Sequence, residues 1–156
     1  MKQKGFYETS MFLEPFNKKT DKIKAQKILA LLKGLVRKVE EHYSPITSLS
    51  VLGEIDLVLR DPEKINRFTK DSDEIQKDIN EILKRFEIIS IDKDAISLSS
   101  KLLNKSSRGL DPIDVLNFSC AISSKCNAFF FIDSELKNNI YIKEIAKINN
   151  LKMSPW

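Results

Sequence analysis

The chain has little of the chemistry that common enzyme sites are built from. It holds one histidine, His42, and two cysteines in 156 residues. A multi-histidine metal site is thereby excluded, and a histidine-based triad would rest on His42 alone, which reads as a surface residue. Cys120 and Cys126 lie six apart on or just beyond one predicted helix. That spacing disfavours a disulfide between them, and no Cys-x-x-Cys pair or Cys/His cluster offers a zinc site. They read as packing residues in a reducing compartment. The four glycines are scattered, no GxxxxGK[ST] loop is present to cradle phosphates, and no Asp-x-Asp follows the first predicted strand. Nucleotide cradling and an aspartyl-phosphate intermediate therefore have no support, which weighs against other α/β phosphoryl-transfer enzymes. No apolar run approaches the ~20 residues that cross a bilayer, and the charged start Met1-Lys2-Gln3-Lys4 leads into a strand-like segment in place of a secretory leader. A cytoplasmic protein without a membrane partner is expected.

What is present is an ordinary globular composition, 42% hydrophobic and 31% charged. This length suits a single domain over residues 1–156, burying roughly 70% of the surface its unfolded chain exposes. The net charge of +4 and a pI near 9.0 permit a polyanionic partner without requiring one. No repeat, low-complexity tract or linker marks a second domain. Apolar periodicity and capping signals give a strand over 4–8, an amphipathic helix over 21–41 interrupted in propensity by Gly34, and a strand over 43–47 in which Pro45 argues for a late start or a place near an edge. A helix capped by Ser48 or Ser50 then carries Val51, Leu52, Ile55, Val58 and Leu59. Asp61-Pro62 opens a helix to about residue 68, and an Asp73–Gln76 capping box opens another. A strand over 86–91, a helix over 93–105 capped by Asp92, and a turn over 106–109 follow. Asp111-Pro112 starts a helix to residue 125; a continuous apolar strand over 128–132, a helix over 141–148 and a last strand over 151–153 complete the chain. Strands alternating with helices imply a three-layer α/β/α sandwich with a mostly parallel central sheet.

The acids stand at defined points of this frame. Glu8 and Asp133 end strands, at the carboxyl edge where open α/β sheets place their ligands. Asp114 falls in the first turn of the helix capped by Asp111. Glu54 is three residues after Val51 and four before Val58, so it projects near the apolar stripe, where a carboxylate is costly unless paired, protonated or bound to a cation. Four carboxylates converging on one edge repel unless a hard divalent ion offsets them, and an oxygen-only donor set favours Mg²⁺ or Mn²⁺. Such a centre activates water and stabilises charge developing on a phosphodiester.

With Glu8-Thr9-Ser10 after the first strand, Glu54 within ITSLSVLGEIDLVL, Asp114 within LDPIDVLNFSCAI and Asp133 ending FFFID, the chain resembles the PIN-domain nucleases, especially the small VapC-type toxin ribonucleases. The resemblance extends in order and length over nearly the whole chain. It implies a PIN-like fold, Mg²⁺-dependent cleavage of RNA, homodimers and a cognate antitoxin protein. It assigns Glu8, Asp114 and Asp133 direct or water-mediated metal contacts, and Glu54 the task of holding the ion or orienting the attacking water. Ser10 reads as a supporting hydroxyl or a local turn residue. Lys105 and Arg108, just ahead of the acidic helix, are candidates for the RNA backbone or else solvated charges. Two positions depart from the family pattern. Glu8 stands where Asp is usual, and Phe131 stands two residues before the last acid, where Thr is frequent. These departures favour, as the alternative, a PIN-like module weakened in catalysis that binds RNA or a protein partner.

Overall fold

A computed structural model describes residues 1–106, 109–132 and 135–154. Its elements run β1 (Gln3–Tyr7), α1 (Thr9–Leu13), a 3₁₀ turn (Glu14–Phe16), α2 (Lys22–Leu32), α3 (Arg37–His42), β2 (Tyr43–Ser48), α4 (Leu49–Arg60) and α5 (Pro62–Ile65). They continue with α6 (Ser72–Leu83), β3 (Glu87–Ile89), α7 (Lys93–Lys105), α8 (Pro112–Ser123), β4 (Ala128–Phe130), α9 (Glu135–Asn138), α10 (Ile140–Ile148) and β5 (Lys152–Ser154). The five strands form one sheet in the order β3-β2-β1-β4-β5, and every pairing is parallel. The chain thus winds outward from β1 to β3, then crosses back to β4 on the other side of β1. Between β1 and β4 lies the switch point at which such sheets open a crevice beyond their carboxyl ends.

The central strands are buried over their later residues, Gly5 to Tyr7 of β1 and Ile46 to Ser48 of β2, and over all of β4. Phe6, Ile46, Phe129 and Phe131 are wholly inaccessible to solvent, and Phe129 packs against Phe6, Phe118 and Phe131 with ring centroids 5.5–5.8 Å apart. Gly5 makes room for Phe130 and Tyr43 on the neighbouring strands, since a Cβ there would meet Phe130 Cε2 at 2.8 Å and Tyr43 Cβ at 3.2 Å. Cys120 and Cys126 are buried and free, as their apolar surroundings suggested, and burial pushes the Cys126 thiol up to about 12.

Several expectations need correction. The helix expected over 21–41 is two helices, parted at Gly34, whose φ of +72° lies in the left-handed region that ends helices. The Asp73–Gln76 capping box does not open α6. Asp71 is the cap, its Oδ1 accepting from Glu74 N–H at 2.9 Å, and Asp73 sits in the first turn. The strand β2 is not at an edge but between β1 and β3. Pro45 is tolerated because it pairs in register with Gly5 of β1, and the β2–β3 ladder begins only at Ile46. The helix begun by Pro62 stops at Ile65, short of 68, and Phe68 turns to form an antiparallel bridge with Asn17. Ser48, not Ser50, caps α4. The short α1 was not expected at all; five residues are too few for periodicity to show.

Candidate functional site

Glu8 follows β1 directly. Its N–H donates to the Phe130 carbonyl at 3.0 Å, carrying the β1–β4 ladder one residue beyond the strand, and its backbone is extended at φ −88°. From there it becomes the N-cap of α1, its carboxylate accepting from Ser10 N–H at 3.1 Å and from the Ser10 hydroxyl. Glu8 is 3% exposed, not a solvated strand end. Ser10 Oγ also accepts from Ile132 N–H at 3.0 Å, tying the turn after β1 to the segment after β4. The hydroxyl that Phe131 cannot supply is thus present nearby, from the first turn of α1. Phe131 itself is wholly buried.

Asp111 caps α8 through Oδ1, accepting from Ile113 N–H at 2.7 Å and Asp114 N–H at 3.3 Å, with Pro112 at the first helical position. This sets Asp114 in the first turn, facing the end of β1. Glu54 reaches the same place from the second turn of α4, half-buried beside Val51 and Val58. Each of Glu8, Glu54 and Asp114 offers a carboxylate oxygen, and the three oxygens lie within 4.8 Å of one another. They line one cavity of about 410 Å³ at the carboxyl edge of the sheet, together with Thr9, Ser10, Asn17, Arg67, Asp111 and Glu135.

The Glu54 carboxyl is held above its ordinary pKa. Desolvation raises its pKa, and the nearby Asp111 charge raises it further; the Thr9 hydroxyl, Asn117 and Lys64 oppose the rise. Thr9 Oγ1 donates to Glu54 Oε2. Asn117 is wholly buried three residues after Asp114, and its Oδ1 accepts from Ser50 Oγ at 2.6 Å, which in turn shares a hydrogen bond of 2.6 Å with Ser48 Oγ. Asn117 Nδ2 meets no acceptor at hydrogen-bonding geometry among the described residues, yet lies near enough to Glu54 to favour its ionised form. Thr9 and Asn117 escaped the sequence reading. A signal for Asn117 existed, an amide inside the apolar run Val115, Leu116, Phe118 of an acid-tipped helix.

Of the other sequence candidates, Asp133 and Arg108 lie outside the described residues. Lys105 ends α7 with its Nζ 6.0 Å from the centre of the Tyr141 ring, and it does not line the acidic cavity. His42 is exposed, its Nδ1–H donating to the Lys38 carbonyl at 2.7 Å.

A parallel sheet with an acid-lined crevice at its switch point is the arrangement of the PIN-like α/β/α fold. Solved structures with this fold match the chain nearly end to end. A chain of VapBC2 from Rickettsia felis, bound to a DNA fragment from its promoter, aligns over 97% of this chain and 98% of its own with a TM-score of 0.61 and 19% identity. VapC20 from Mycobacterium tuberculosis, a toxin that cleaves the sarcin-ricin loop, aligns over 84% and 91% with a TM-score of 0.58 and 15% identity. FitAcB from Neisseria gonorrhoeae aligns over 83% and 88% with a TM-score of 0.56 and 13% identity. No family model matches the sequence, and no curated protein does. What the chain shares with the toxins at these identities is their fold, and the expected VapC-like, PIN-like architecture is the one observed.

Proposed function

We propose that the protein is a metal-dependent endoribonuclease, the toxin of a toxin–antitoxin pair. One observation carries this reading: three carboxylate oxygens from three separate elements lie within 4.8 Å of one another at the sheet's switch point. The donor set fits Mg²⁺ or Mn²⁺. It is made of oxygens alone, no thiol or imidazole lines the cavity among the described residues, and the spacing is one that a hard cation and its waters bridge. Such an ion, when bound, lowers the pKa of water and neutralises charge growing on the phosphodiester. Glu8 and Asp114 would hold it, and Asp133 joins them in the proposal through its position just after β4. Ser10 fixes the Glu8 carboxylate, and Thr9 aims that of Glu54, which would help hold the ion or orient the attacking water. The added methylene of Glu8 is accommodated by its capping bonds to Ser10, which draw the carboxylate back over α1.

Among the neighbours are a toxin–antitoxin complex from Klebsiella pneumoniae and VapBC2 bound to promoter DNA. For this chain a cognate antitoxin and a homodimer follow as part of the same proposal. Glu8→Gln, Asp114→Asn and Asp133→Asn should each abolish Mg²⁺-dependent cleavage of single-stranded RNA while leaving the circular dichroism spectrum unchanged. Mn²⁺ at a hundredfold excess over its Kd should stabilise the wild-type protein by about 2.7 kcal/mol. Full cleavage by Asp114→Asn would reject the site. Absence of Mn²⁺ binding by calorimetry would favour the non-catalytic binding module.

A further inference from the structure

The acidic cavity alone would repel a nucleic acid. Among the described residues, six carboxylates, from Glu8, Glu14, Glu54, Asp111, Asp114 and Glu135, line it against one guanidinium, that of Arg67. A polyanion must therefore be met at the rim by cations that are not already spent on neighbours.

The structure builds such a rim from two distant segments. Asn17 and Phe68 form an isolated antiparallel bridge, flanked by Lys18 N–H donating to the Arg67 carbonyl at 2.9 Å and Thr69 N–H to the Phe16 carbonyl at 2.8 Å. Lys18 Nζ donates to the Asn66 carbonyl at 2.8 Å, and Asn17 Oδ1 accepts from Lys19 N–H at 3.0 Å. The Arg67 guanidinium stands 4.9 Å from the centre of the Phe68 ring, and Phe68 is itself buried. Arg67 and Asn17 both line the acidic cavity, so this zipped pair of segments forms its lip. Nearby cations are already paired, Lys64 with Asp61 at 3.4 Å and Lys70 with Asp78 at 2.6 Å. Lys18, Lys19 and Arg67 are exposed and form no ion pair among the described residues.

We infer that Lys18, Lys19 and Arg67, brought together by the Asn17–Phe68 bridge, form a cationic lip that grips the sugar–phosphate backbone of single-stranded RNA at the mouth of the acidic cavity. The inference rests on the nuclease reading for its choice of RNA. Arg67 suits the innermost position, because a planar guanidinium held over a ring presents paired donors to one phosphate. The lysines suit the phosphates on either side as point charges, Lys18 with the ammonium protons that its one bond to the Asn66 carbonyl leaves over. Lys105 lines a separate pocket with Tyr141 and is not one of the three residues of this lip.

The test is titration of a fluorescein-labelled single-stranded RNA, in EDTA, into the wild type and into Lys18→Gln/Lys19→Gln/Arg67→Gln. Loss of three phosphate contacts should weaken binding roughly tenfold or more and flatten the slope of log K against log salt by about 2, at ~0.7 per contact on a single strand. Arg67→Gln alone, at an exposed position, should lower the slope by about 0.7 and serves if the triple variant fails to fold. The triple variant should bind Mn²⁺ as the wild type does. An unchanged slope in the triple variant, no RNA binding by the wild type, or lip-dependent binding of polyglutamate in place of RNA would each overturn the inference. Lip-dependent RNA binding by a protein that neither binds Mn²⁺ nor cleaves would uphold the lip and reject the nuclease reading. Cleavage with an unaltered KM in the triple variant would do the reverse.

Discussion

Glu54 carries an electrostatic cost in the folded protein. Its folded-state pKa is raised by desolvation and by the Asp111 charge. Below its ordinary value of 4.5 it is protonated in both folded and unfolded chains, and folding is indifferent to it. As pH rises above that value the unfolded chain gives up the proton first, so stability falls until Glu54 ionises in the folded protein as well. In EDTA, Glu54→Gln should therefore remove part of the fall in melting temperature between acid and neutral pH, and should be the more stable protein at neutral pH. Parallel melting curves for the two proteins across pH would refute this account. The acids were legible in the sequence because each marks a strand end, a helix start or an apolar stripe. Thr9 and Asn117 were not, because they act on Glu54 across separations of 45 and 63 residues that no local pattern encodes.

At the scale of elements, what positions the site is the closeness of β1 to both of its neighbours. Gly5→Ala would push a methyl group to 2.8 Å from Phe130 Cε2 and 3.2 Å from Tyr43 Cβ. Strand propensity favours alanine, yet the crowding should prevail and cost about 1–3 kcal/mol, read from urea denaturation with an unchanged m-value. An equal or higher midpoint would show that the Phe130 ring simply swings aside. Sequence patterns were reliable here where one residue type serves one purpose, as with Asp92 capping α7 and Asp111-Pro112 opening α8. They failed where two candidates compete. Asp71 and Asp73 both precede the apolar stripe of α6, and only the extended backbone at Asp71, φ −71° and ψ 167°, decides between them. Gly34 was visible as a weak point, but its role was not. Its missing side chain leaves room for the Arg85 guanidinium, which pairs with Glu40 of α3 and donates to the Leu32 carbonyl at 2.7 Å, pinning the two helices across the break.

For the whole molecule, alternation of strands and helices was enough to announce a parallel sheet, because each crossover must return over one face. Strand order was beyond its reach: nothing local distinguishes β4 pairing with β1 from β4 pairing with β3. That choice creates the switch point, and with it the meeting of Glu8, Glu54 and Asp114. A net charge of +4 coexists with an acidic crevice because, among the described residues, carboxylates gather in the cavity against Arg67 alone while most cations lie elsewhere.

The hydrogen bond from Glu8 N–H to the Phe130 carbonyl makes the first acid of the cluster part of the central ladder. Its amide proton should then exchange with deuterium only when the sheet itself comes apart, while those of Lys18 and Thr69, held beside a single isolated bridge, should exchange by small local openings orders of magnitude more often. Comparable exchange rates for Glu8 and Lys18 in a native-state NMR measurement would contradict this. A centre fastened in this way does not melt separately from the protein that carries it. Silencing it without unfolding the chain is then a matter of covering the cavity from outside.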